Sequence, residues 1–550
     1  MAAKRSYWGV VTIVLLALVI GFVVGNVLAP QALGRRLFLS SGNKINVILD
    51  IIEEEYVDSV SMKEMVEDAI PKLIGELDPH SAYIPADKLQ GANEELEGHY
   101  GGIGAGFVLQ DDTMMFVNIF AGGPSEQAGI EPGDRLISVD GVSYIKQEMA
   151  RDSVISTLRG PVGTKIKIGI KKRLSDNILE YEIVRGEILD NTVLTSYEVS
   201  KGIGLIKIRK FARTTYDEFI QAMAKLSAAG CTSYVLDLRS NTGGMLDVAI
   251  NIANDFLSKG QLIVYTEGRA MSRNEALANG AGVFQKNQLV LLMDEISASA
   301  SEVLAGAIQD NDRGLIVGRR SYGKGLVQKP INLSDGSALR LTIARYYTPS
   351  GRCIQRNYEL GKSGEYEQEW IDRFYHGEAF SQDSIKFDED LRYYTSVGRI
   401  VYGGGGIMPD IFVPRDTIGV TSYYMNLENR DIFYDYAFKY VDQRRESLKR
   451  FKDYESLYNH LLKEPIVEGI VSYADSKGIR RKAHLINISY RIIQNQAIAY
   501  IVGNVLGNEW LYPVVMKQDP VVLKAVEALK KGEATPEAIF TKAQEQGIEN

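Results

Sequence analysis

The sequence predicts a multidomain protein of the α/β class. Three observations lead to this prediction: an uncharged apolar run near the N-terminus, a glycine-rich region of short strands, and a middle region in which buried strands alternate with helices. A chain of 550 residues is long enough for several domains. The predicted order is a transmembrane segment at residues 1–35, a small helical domain at 40–97, a β-rich domain at 98–186, an α/β layered core at 187–416 and a mostly helical C-terminal extension at 417–550.

The composition excludes several classes of partner. A net charge of −8 argues against broad electrostatic binding of nucleic acid. The five histidines are scattered without the spacing of metal ligands, so we expect no metal site. The two cysteines, Cys231 and Cys353, do not make a disulfide framework.

The N-terminal apolar run predicts a membrane span. Trp8–Ala29 contains no charged residue and, at about 22 residues, is long enough to cross a bilayer as a helix. Lys4 and Arg5 precede it, which favours a cytoplasmic N-terminus and export of the remainder. We expect an uncleaved anchor in a bacterial inner membrane, with the bulk of the chain in the periplasm. The alternative is a cleaved signal peptide.

A small helical domain is predicted to follow this span. Apolar residues recur at helical spacing between Ile45 and Leu77. The segment Asp78–Ser81, which contains a proline, then interrupts the pattern.

A glycine-rich loop opens the β-rich domain. Tyr100–Phe107 is followed by short β-rich runs and by Gly123–Leu136. A phosphate-binding loop is disfavoured, because no Lys-Ser or Lys-Thr pair follows the glycines. The combination resembles a PDZ domain, in which such a loop binds a peptide carboxylate and an open sheet edge accepts the peptide as an added strand. By this resemblance, the peptide-binding loop consists of Gly102, Ile103, Gly104, Ala105, Gly106 and Phe107.

Polar residues follow three predicted strands of the core. These buried strands are Tyr234–Leu238, Leu289–Met293 and Leu315–Val317. The segment Arg239–Gly244 follows the first strand, Ser299 the second and Lys324 the third. Because chemistry in layered α/β folds sits beyond the carboxyl ends of the strands, we expect these three segments to meet at one edge of the sheet.

Ser299 and Lys324 are a candidate nucleophile and base. A lysine can activate a serine when it is held neutral, which requires its pKa to fall by roughly 2–3 units from ~10.4. Gly323 and Gly325 flank the lysine and allow the close backbone approach that buries its amine. The alternative is that Ser299 only caps a helix, since Ser299–Glu302 fits the S-x-x-E capping box. The two roles are compatible, because a helix N-terminus also stabilises an oxyanion.

Six further motifs follow one another along the chain. They are Leu77–Tyr83, Asp237–Gly244, Ser297–Glu302, Gly318–Gln328, Tyr346–Arg352 and Gly405–Asp410. Together with the PDZ-like region they cover about residues 70–415 and resemble the carboxy-terminal processing (tail-specific) proteases, which are Ser–Lys endopeptidases with an inserted PDZ domain.

The resemblance implies a role for each site residue. Ser299 is then the nucleophile, Lys324 the general base and Gln328 the residue that orients the lysine. Lys324 and Gln328 are four positions apart, and an amide carbonyl accepts an N–H of neutral lysine without adding charge. The oxyanion hole is then formed by the backbone N–H of Ala300, with that of Gly243 or Gly244.

The sequence therefore predicts an exported, membrane-anchored serine endopeptidase that binds the free C-termini of polypeptides through its PDZ domain and needs no cofactor. The sequence leaves open whether the protein needs an adaptor protein and whether it forms a homo-oligomer. One alternative is a catalytically silent PDZ scaffold or holdase that binds exposed tails. A trypsin-like PDZ protease is the other, and the lack of any histidine between His99 and His376 argues against it.

Two regions depart from the family pattern. Residues 356–392 are charged and rich in aromatics, and are predicted to be an insertion. Residues 417–550 are predicted to be mostly helical and lie outside the minimal core of the family. They could clamp the fold, form an oligomer or restrict access to the site.

Overall fold

The structure is a computed structural model and describes residues 14–17, 19, 44–110, 113–120, 122–144, 151–172 and 177–548. The chain divides into two compact units, Met1–Ile74 and Gly75–Asn550. Each unit is described by itself.

The first unit contains the predicted N-terminal helices. They are α1 (Lys44–Glu55) and α2 (Met62–Gly75), the second ending just beyond the unit boundary. Most of the predicted membrane span Trp8–Ala29 lies outside the described residues. Among the residues that are described, no helix is both long enough and apolar enough to cross a membrane. The anchor therefore stays a prediction.

The second unit begins with β1 (Ala82–Ile84) and α3 (Ala86–Glu97), which are followed by a β-rich domain. The elements of this domain are β2 (His99–Gly102), β3 (Ala105–Gln110), β4 (Thr113–Ile119), α4 (Pro124–Gln127), β5 (Arg135–Val139), β6 (Val142–Ser143), α5 (Arg151–Leu158), β7 (Lys165–Lys171), β8 (Ile178–Val184) and β9 (Gly186–Leu189). One sheet has the order β3-β4-β5-β7-β8, with β6 paired to β5, while β2 pairs with β9. Val154 and Leu158 of α5 pack into the core of this domain. The predicted β-rich domain is thus present, with β3 at one edge of its described sheet.

The α/β core follows. Its elements are β10 (Val193–Ser200), β11 (Ile203–Ile208), α6 (Thr215–Ala228), β12 (Ser233–Asp237), α7 (Leu246–Phe256), β13 (Leu262–Gly268), β14 (Met271–Leu277), β15 (Gln288–Met293), α8 (Ala300–Asp310), β16 (Leu315–Gly318), β17 (Leu326–Asn332), β18 (Ala338–Tyr347), α9 (Ser363–Tyr375), β19 (Arg392–Tyr394), β20 (Ile400–Tyr402) and β21 (Ile411–Phe412).

The main sheet of the core has the order β10-β11-β12-β15-β16-β21. All neighbouring strands are parallel except β10 and β11. Because side chains alternate along a strand, Tyr234 and Leu236 pack on the face covered by α6, α7 and α8, whereas Val235 packs on the opposite face. The predicted layered α/β core is therefore confirmed, with its loops at the carboxyl ends of the parallel strands.

A second, antiparallel sheet stands beside the main one. Its order is β1-β18-β13-β14, and β17 also pairs with β18. Gln328 lies on β17, opposite Thr342 of β18. Ala82 of β1 pairs with Arg340 of β18, so a segment far away in the sequence joins the sheet that follows Lys324.

The C-terminal extension is helical, as predicted. Its helices are α10 (Ser422–Asn429), α11 (Ile432–Leu448), α12 (Tyr454–Leu461), α13 (Ile466–Ser476), α14 (Ala483–Leu506), α15 (Leu511–Met516), α16 (Pro520–Lys530) and α17 (Pro536–Ile548). Helices α10–α15 form their own apolar core. Phe438 of α11 packs against Val108, Met115 and Val117 of the β-rich domain. The last two helices instead cover the second face of the main sheet, so the end of the extension is part of the core.

Candidate active site

Ser299 begins helix α8. Its backbone φ is +55°, a left-handed value that residues other than glycine rarely adopt and that is frequent at functional sites. Its N–H donates to Glu302 Oε2 at 2.8 Å, which is the carboxylate half of the predicted capping box. The half-buried side chain therefore starts a helix at a tight turn that follows β15.

Glu302 joins the turn of Ser299 to the loop of Lys324. Its carboxylate is fully buried and accepts four hydrogen bonds. The Oε2 atom accepts the N–H groups of Ser299 (2.8 Å) and Lys324 (2.9 Å), and Oε1 accepts the Ser321 hydroxyl (2.5 Å) and the Gly323 N–H (2.8 Å). Burial raises the pKa of Glu302 to about 7, although these hydrogen bonds oppose the rise. The sequence indicated only a capping role for this residue.

Lys324 follows β16 and is partly buried. Its Nζ donates to Gln328 Oε1 at 3.3 Å. Desolvation lowers the pKa of Lys324, and the positive charge of Arg340 lowers it further. The carboxylates of Glu302 and Asp78 act in the opposite direction. The net shift is toward the neutral amine that a general base requires.

The turn at Asp78–Ser81 fixes the side chain of Gln328 through a hydrogen bond. Its Nε2 donates to the backbone carbonyl of His80. Asp78 Oδ1 accepts the N–H groups of His80 and Ser81, each at 2.9 Å, and the Ser81 hydroxyl accepts the N–H of Thr342 at 3.0 Å. Burial lowers the pKa of the His80 ring to about 4, so the ring stays neutral near pH 7. The sequence indicated a break in a helix here, and the turn in fact connects to the sheet that carries Gln328.

The glycine loop after β12 packs directly on the nucleophile turn. Gly243 has a φ of +102°, and a Cβ atom added there would lie 2.7 Å from the Cβ of Ser299. The N–H of Gly243 donates to Asn241 Oδ1 at 2.9 Å. Within residues 177–548, the N–H groups of Gly244 and Ala300 have no hydrogen-bond partner. Two residues that line the same cavity as Ser299 therefore keep a free backbone donor within this range, and Gly243 is not one of them.

The predicted catalytic residues meet at one cavity of about 550 Å³. Its lining includes Ser299, Lys324, Gln328, Ala300, Gly243 and Gly244. Most of the remaining lining side chains are apolar, among them Met245, Leu246, Val303 and Leu326. Arg340 also lines the cavity and forms no ion pair within the described ranges. A largely apolar cavity with a few converging polar groups is typical of a ligand site.

The PDZ-like loop lies outside this cavity. The carbonyl of Ile103 accepts both the N–H (2.9 Å) and the hydroxyl (2.6 Å) of Ser125, which fixes the loop against α4. Gly104 has a φ of +72°. The loop runs into β3, the strand at the edge of the sheet. The structure thus places the predicted loop Gly102–Phe107 at the start of an edge strand.

The predicted insertion contacts the lysine loop. Arg373 of α9 is buried and donates to the carbonyls of Tyr322 (3.3 Å) and Ser321 (3.2 Å). The N–H of Arg356 donates to the carbonyl of Gly323 at 3.1 Å. No pattern in the sequence indicated these contacts, because they connect residues that are far apart along the chain.

Comparison with known proteins agrees with this geometry. The family model of peptidase family S41 matches residues 202–361, and a PDZ domain model matches residues 117–172. Residues 423–507 match a family of unknown function.

Three curated relatives extend the match. A carboxy-terminal-processing protease of Bartonella bacilliformis is 33% identical over 353 residues, which are 61% of this chain and 80% of the relative. A carboxyl-terminal-processing protease of Synechocystis is 31% identical over 373 residues, 64% of this chain and 86% of the relative. A carboxy-terminal processing protease of Bacillus subtilis is 32% identical over 318 residues, which are 58% of this chain and 67% of the relative. This chain therefore belongs to the carboxy-terminal processing serine proteases of peptidase family S41, and it carries their PDZ domain.

Proposed function

We propose that the protein is an endopeptidase in which Ser299 is the nucleophile and Lys324 the general base. One observation carries the proposal. The buried carboxylate of Glu302 accepts the backbone N–H of both residues and so fixes them relative to each other at the wall of one cavity. Desolvation lowers the pKa of Lys324, and the one acceptor of its Nζ among the described residues is neutral, namely Gln328 Oε1.

The reaction then proceeds in two halves. Lys324 Nζ takes the proton of Ser299 Oγ while that oxygen attacks the peptide carbonyl, and the N–H groups of Gly244 and Ala300 stabilise the tetrahedral oxyanion. The Lys324 ammonium returns its proton to the leaving amine, and an acyl-Ser299 ester remains. A water molecule, deprotonated by the same amine, attacks the ester, and the ammonium then protonates Ser299 Oγ as the acid product leaves.

The substrate is a polypeptide with a free C-terminus. The loop Gly102–Phe107 binds the terminal carboxylate through backbone N–H groups, and the tail adds a strand to the open edge of β3. The apolar walls around Ser299 accept an apolar side chain next to the cleaved bond. Trp8–Ala29 anchors the enzyme to the membrane, with the catalytic part in the periplasm.

Hydrolysis of an unfolded test protein by the full-length chain tests the proposal. Ser299→Ala and Lys324→Ala are each expected to lower the rate by at least ~10³-fold, because each removes one member of a nucleophile–base pair. Lys329→Ala is the matched control, since Lys329 is an exposed lysine on β17, five positions further along the chain. Full activity of Lys324→Ala would contradict the assignment. A wild-type chain that binds tails without cleaving them would instead indicate the scaffold.

A pair of substrates tests the role of the PDZ loop. Two versions of one peptide, with a free C-terminal carboxylate or with an amide, share the same cleavage site. The amide is expected to show a higher KM and a similar kcat, because it loses the contact with the loop and keeps the contacts at Ser299. Equal KM values would contradict carboxylate recognition.

A further inference from the structure

A cluster of four charged side chains lies behind the glycine loop. Asp237 has 1% of its side chain exposed and accepts Lys207 Nζ at 3.2 Å and Arg239 Nη2 at 2.6 Å. One carboxylate between two cations leaves a net positive charge in a buried place, which is unfavourable. Asp519 supplies the missing negative charge, since its Oδ2 accepts Arg239 Nη1 at 2.8 Å. Asp519 therefore makes the cluster neutral.

Asp519 belongs to the C-terminal extension and also caps a helix. Its Oδ1 accepts the N–H groups of Val521 and Val522, each at 2.9 Å, at the start of α16. The buried face of α16 packs on the side of the main sheet that faces away from α8. One carboxylate thus binds the helix with one oxygen and Arg239 with the other. Arg239 is therefore held by Asp237 on one side and by the start of α16 on the other.

Arg239 is the first residue of the loop that reaches the active site. Its backbone N–H donates to Asp237 Oδ1 at 3.0 Å, and its carbonyl accepts a hydrogen bond from Lys207 Nζ. The next residue, Ser240, has a φ of +57°, so the chain turns sharply at this point. Its N–H donates to Asp294 Oδ1 at 2.9 Å. A displaced Arg239 would shift a strained turn that has little freedom to absorb the movement.

The same loop is bonded to the nucleophile turn. The carbonyl of Asn241 accepts the N–H of Ala298 at 3.0 Å and the hydroxyl of Ser301 at 2.9 Å. Three residues further along lies Gly244, whose N–H has no hydrogen-bond partner in the described part of the chain. A shift of the loop therefore changes the position of this donor relative to Ser299.

We propose that Asp519 is a positioning residue for the peptidase reaction. Through Arg239 it fixes the loop that presents the Gly244 N–H, so helix α16 of the C-terminal extension is part of the catalytic apparatus. The proposal rests on the roles proposed for Ser299 and for the Gly244 N–H. It gives the end of the extension a function that acts on the chemical step.

The test is Asp519→Asn in the full-length chain. Asparagine caps a helix as well as aspartate does and has almost the same volume, so the substitution removes the charge and keeps the cap. We expect kcat to fall about tenfold with KM unchanged, less than the ~10²–10³-fold that follows loss of a whole oxyanion donor. The inhibition constant of a peptide boronic acid should rise by the same factor, because its adduct with serine places an oxygen in the same hole. A purely structural role would move neither quantity.

Asp453→Asn is the matched control. Asp453 caps α12 of the same extension by accepting the Ser456 N–H at 2.8 Å, and it forms no ion pair in the part of the chain that the structure describes. This variant should keep the kcat and inhibition constant of the wild type. Asp519→Glu, which restores the charge on a longer side chain, should recover most of the lost kcat.

Two results overturn the proposal. One is an Asp519→Asn enzyme that melts at a lower temperature but matches Asp453→Asn in kcat and in boronic acid inhibition. The other is a failure of Asp519→Glu to recover more activity than Asp519→Asn. If Asp519→Asn does not fold, Asp519→Ser takes its place, because serine also caps a helix without carrying a charge, and a wild-type kcat with a wild-type inhibition constant then overturns the proposal. Ser299→Ala in the same assay keeps the two proposals apart: an active Ser299→Ala enzyme contradicts the proposed function itself.

Discussion

The two halves of the active site are built in different ways. Ser299 and the glycine loop lie on neighbouring turns of the main sheet, and a backbone hydrogen bond from the Ala298 N–H to the Asn241 carbonyl joins these two turns directly. Lys324 lies on a loop between the two sheets. Its surroundings come from three segments that are distant in sequence: the turn at Asp78–Ser81, strand β18 and the insertion at 356–392.

This difference shows where the site is rigid and where it can be adjusted. The nucleophile half is fixed by the packing of a parallel sheet, which resists small changes. The base half depends on a few side-chain contacts that can be removed one at a time. Glu302 connects the two halves and should therefore be the most sensitive residue outside the reacting groups.

Replacing Glu302 by glutamine should have the largest effect. Both carboxylate oxygens accept hydrogen bonds, so an amide would turn an NH₂ group toward backbone N–H donors and push the two halves apart. Since a displacement of about 1 Å can lower a rate by ~10²-fold, we expect kcat to fall by at least that factor. Steady-state hydrolysis of a peptide measures it.

Glu295→Gln is the control for this substitution. Glu295 lies in the loop before Ser299 but pairs with Arg319 and Arg415 outside the cavity, and its loss should leave kcat within a few-fold of the wild type. A Glu302→Gln enzyme with normal kcat would show that the bridge between the halves is dispensable.

Gln328→Glu should have the next largest effect. A carboxylate at the atom that now accepts from Lys324 Nζ would stabilise the ammonium and raise the pKa of Lys324. An opposite charge at this distance raises a lysine pKa by about 1–2 units, so the acid limb of the pH–rate profile should move up by the same amount. Activity at pH 7 should fall ~10–100-fold and recover at alkaline pH.

Gln328→Leu separates charge from orientation. It removes the acceptor without adding a charge, so kcat should fall at every pH and the acid limb should not rise. If both variants shift the acid limb equally, the lack of charge on Gln328 is not what determines the pKa of Lys324.

Arg373→Ala tests the contact of the insertion with the lysine loop. The substitution frees the carbonyls of Ser321 and Tyr322, and we expect kcat to fall about tenfold through a less well ordered Lys324. Arg415→Ala is the matched control, because Arg415 is a half-exposed arginine whose side chain contacts the insertion through the ring of Phe374 and, in the described residues, forms no hydrogen bond or ion pair with the lysine loop. Equal activity of the two variants would show that the insertion does not position the base.

The nucleophile half could be predicted from the sequence, and the reason is physical. Buried parallel strands are continuous apolar runs, and the residues just after them must lie at one edge of the sheet. That rule is enough to bring Ser299, Lys324 and the loop at Gly244 together, as the shared cavity shows. The capping box at Ser299 also follows from four consecutive residues.

The supporting contacts could not be predicted in this way. The bond from Gln328 to the carbonyl of His80 joins residues 248 positions apart, and the pair of Arg239 and Asp519 spans 280 positions. Such pairs leave no periodic signal, because the two partners are far apart along the chain and neither belongs to a repeating pattern. The covering of the second face of the main sheet could not be predicted either, since the helices that pack on it lie at the far end of the chain.

Arg340→Gln should give the smallest effect. Arg340 lines the cavity and lowers the pKa of Lys324, because a nearby positive charge disfavours the ammonium. Its removal should raise that pKa and move the acid limb upward by about half a unit to one unit, less than the shift caused by Gln328→Glu. At a pH well above the limb the rate should be unchanged.

Arg340→Lys keeps the charge and should keep the wild-type limb, so the pair isolates the electrostatic contribution. A downward shift in Arg340→Gln would contradict the sign of the effect. No shift would mean that burial alone keeps Lys324 neutral. The base half would then resemble the nucleophile half after all, with its chemistry set by packing and not by individual charges.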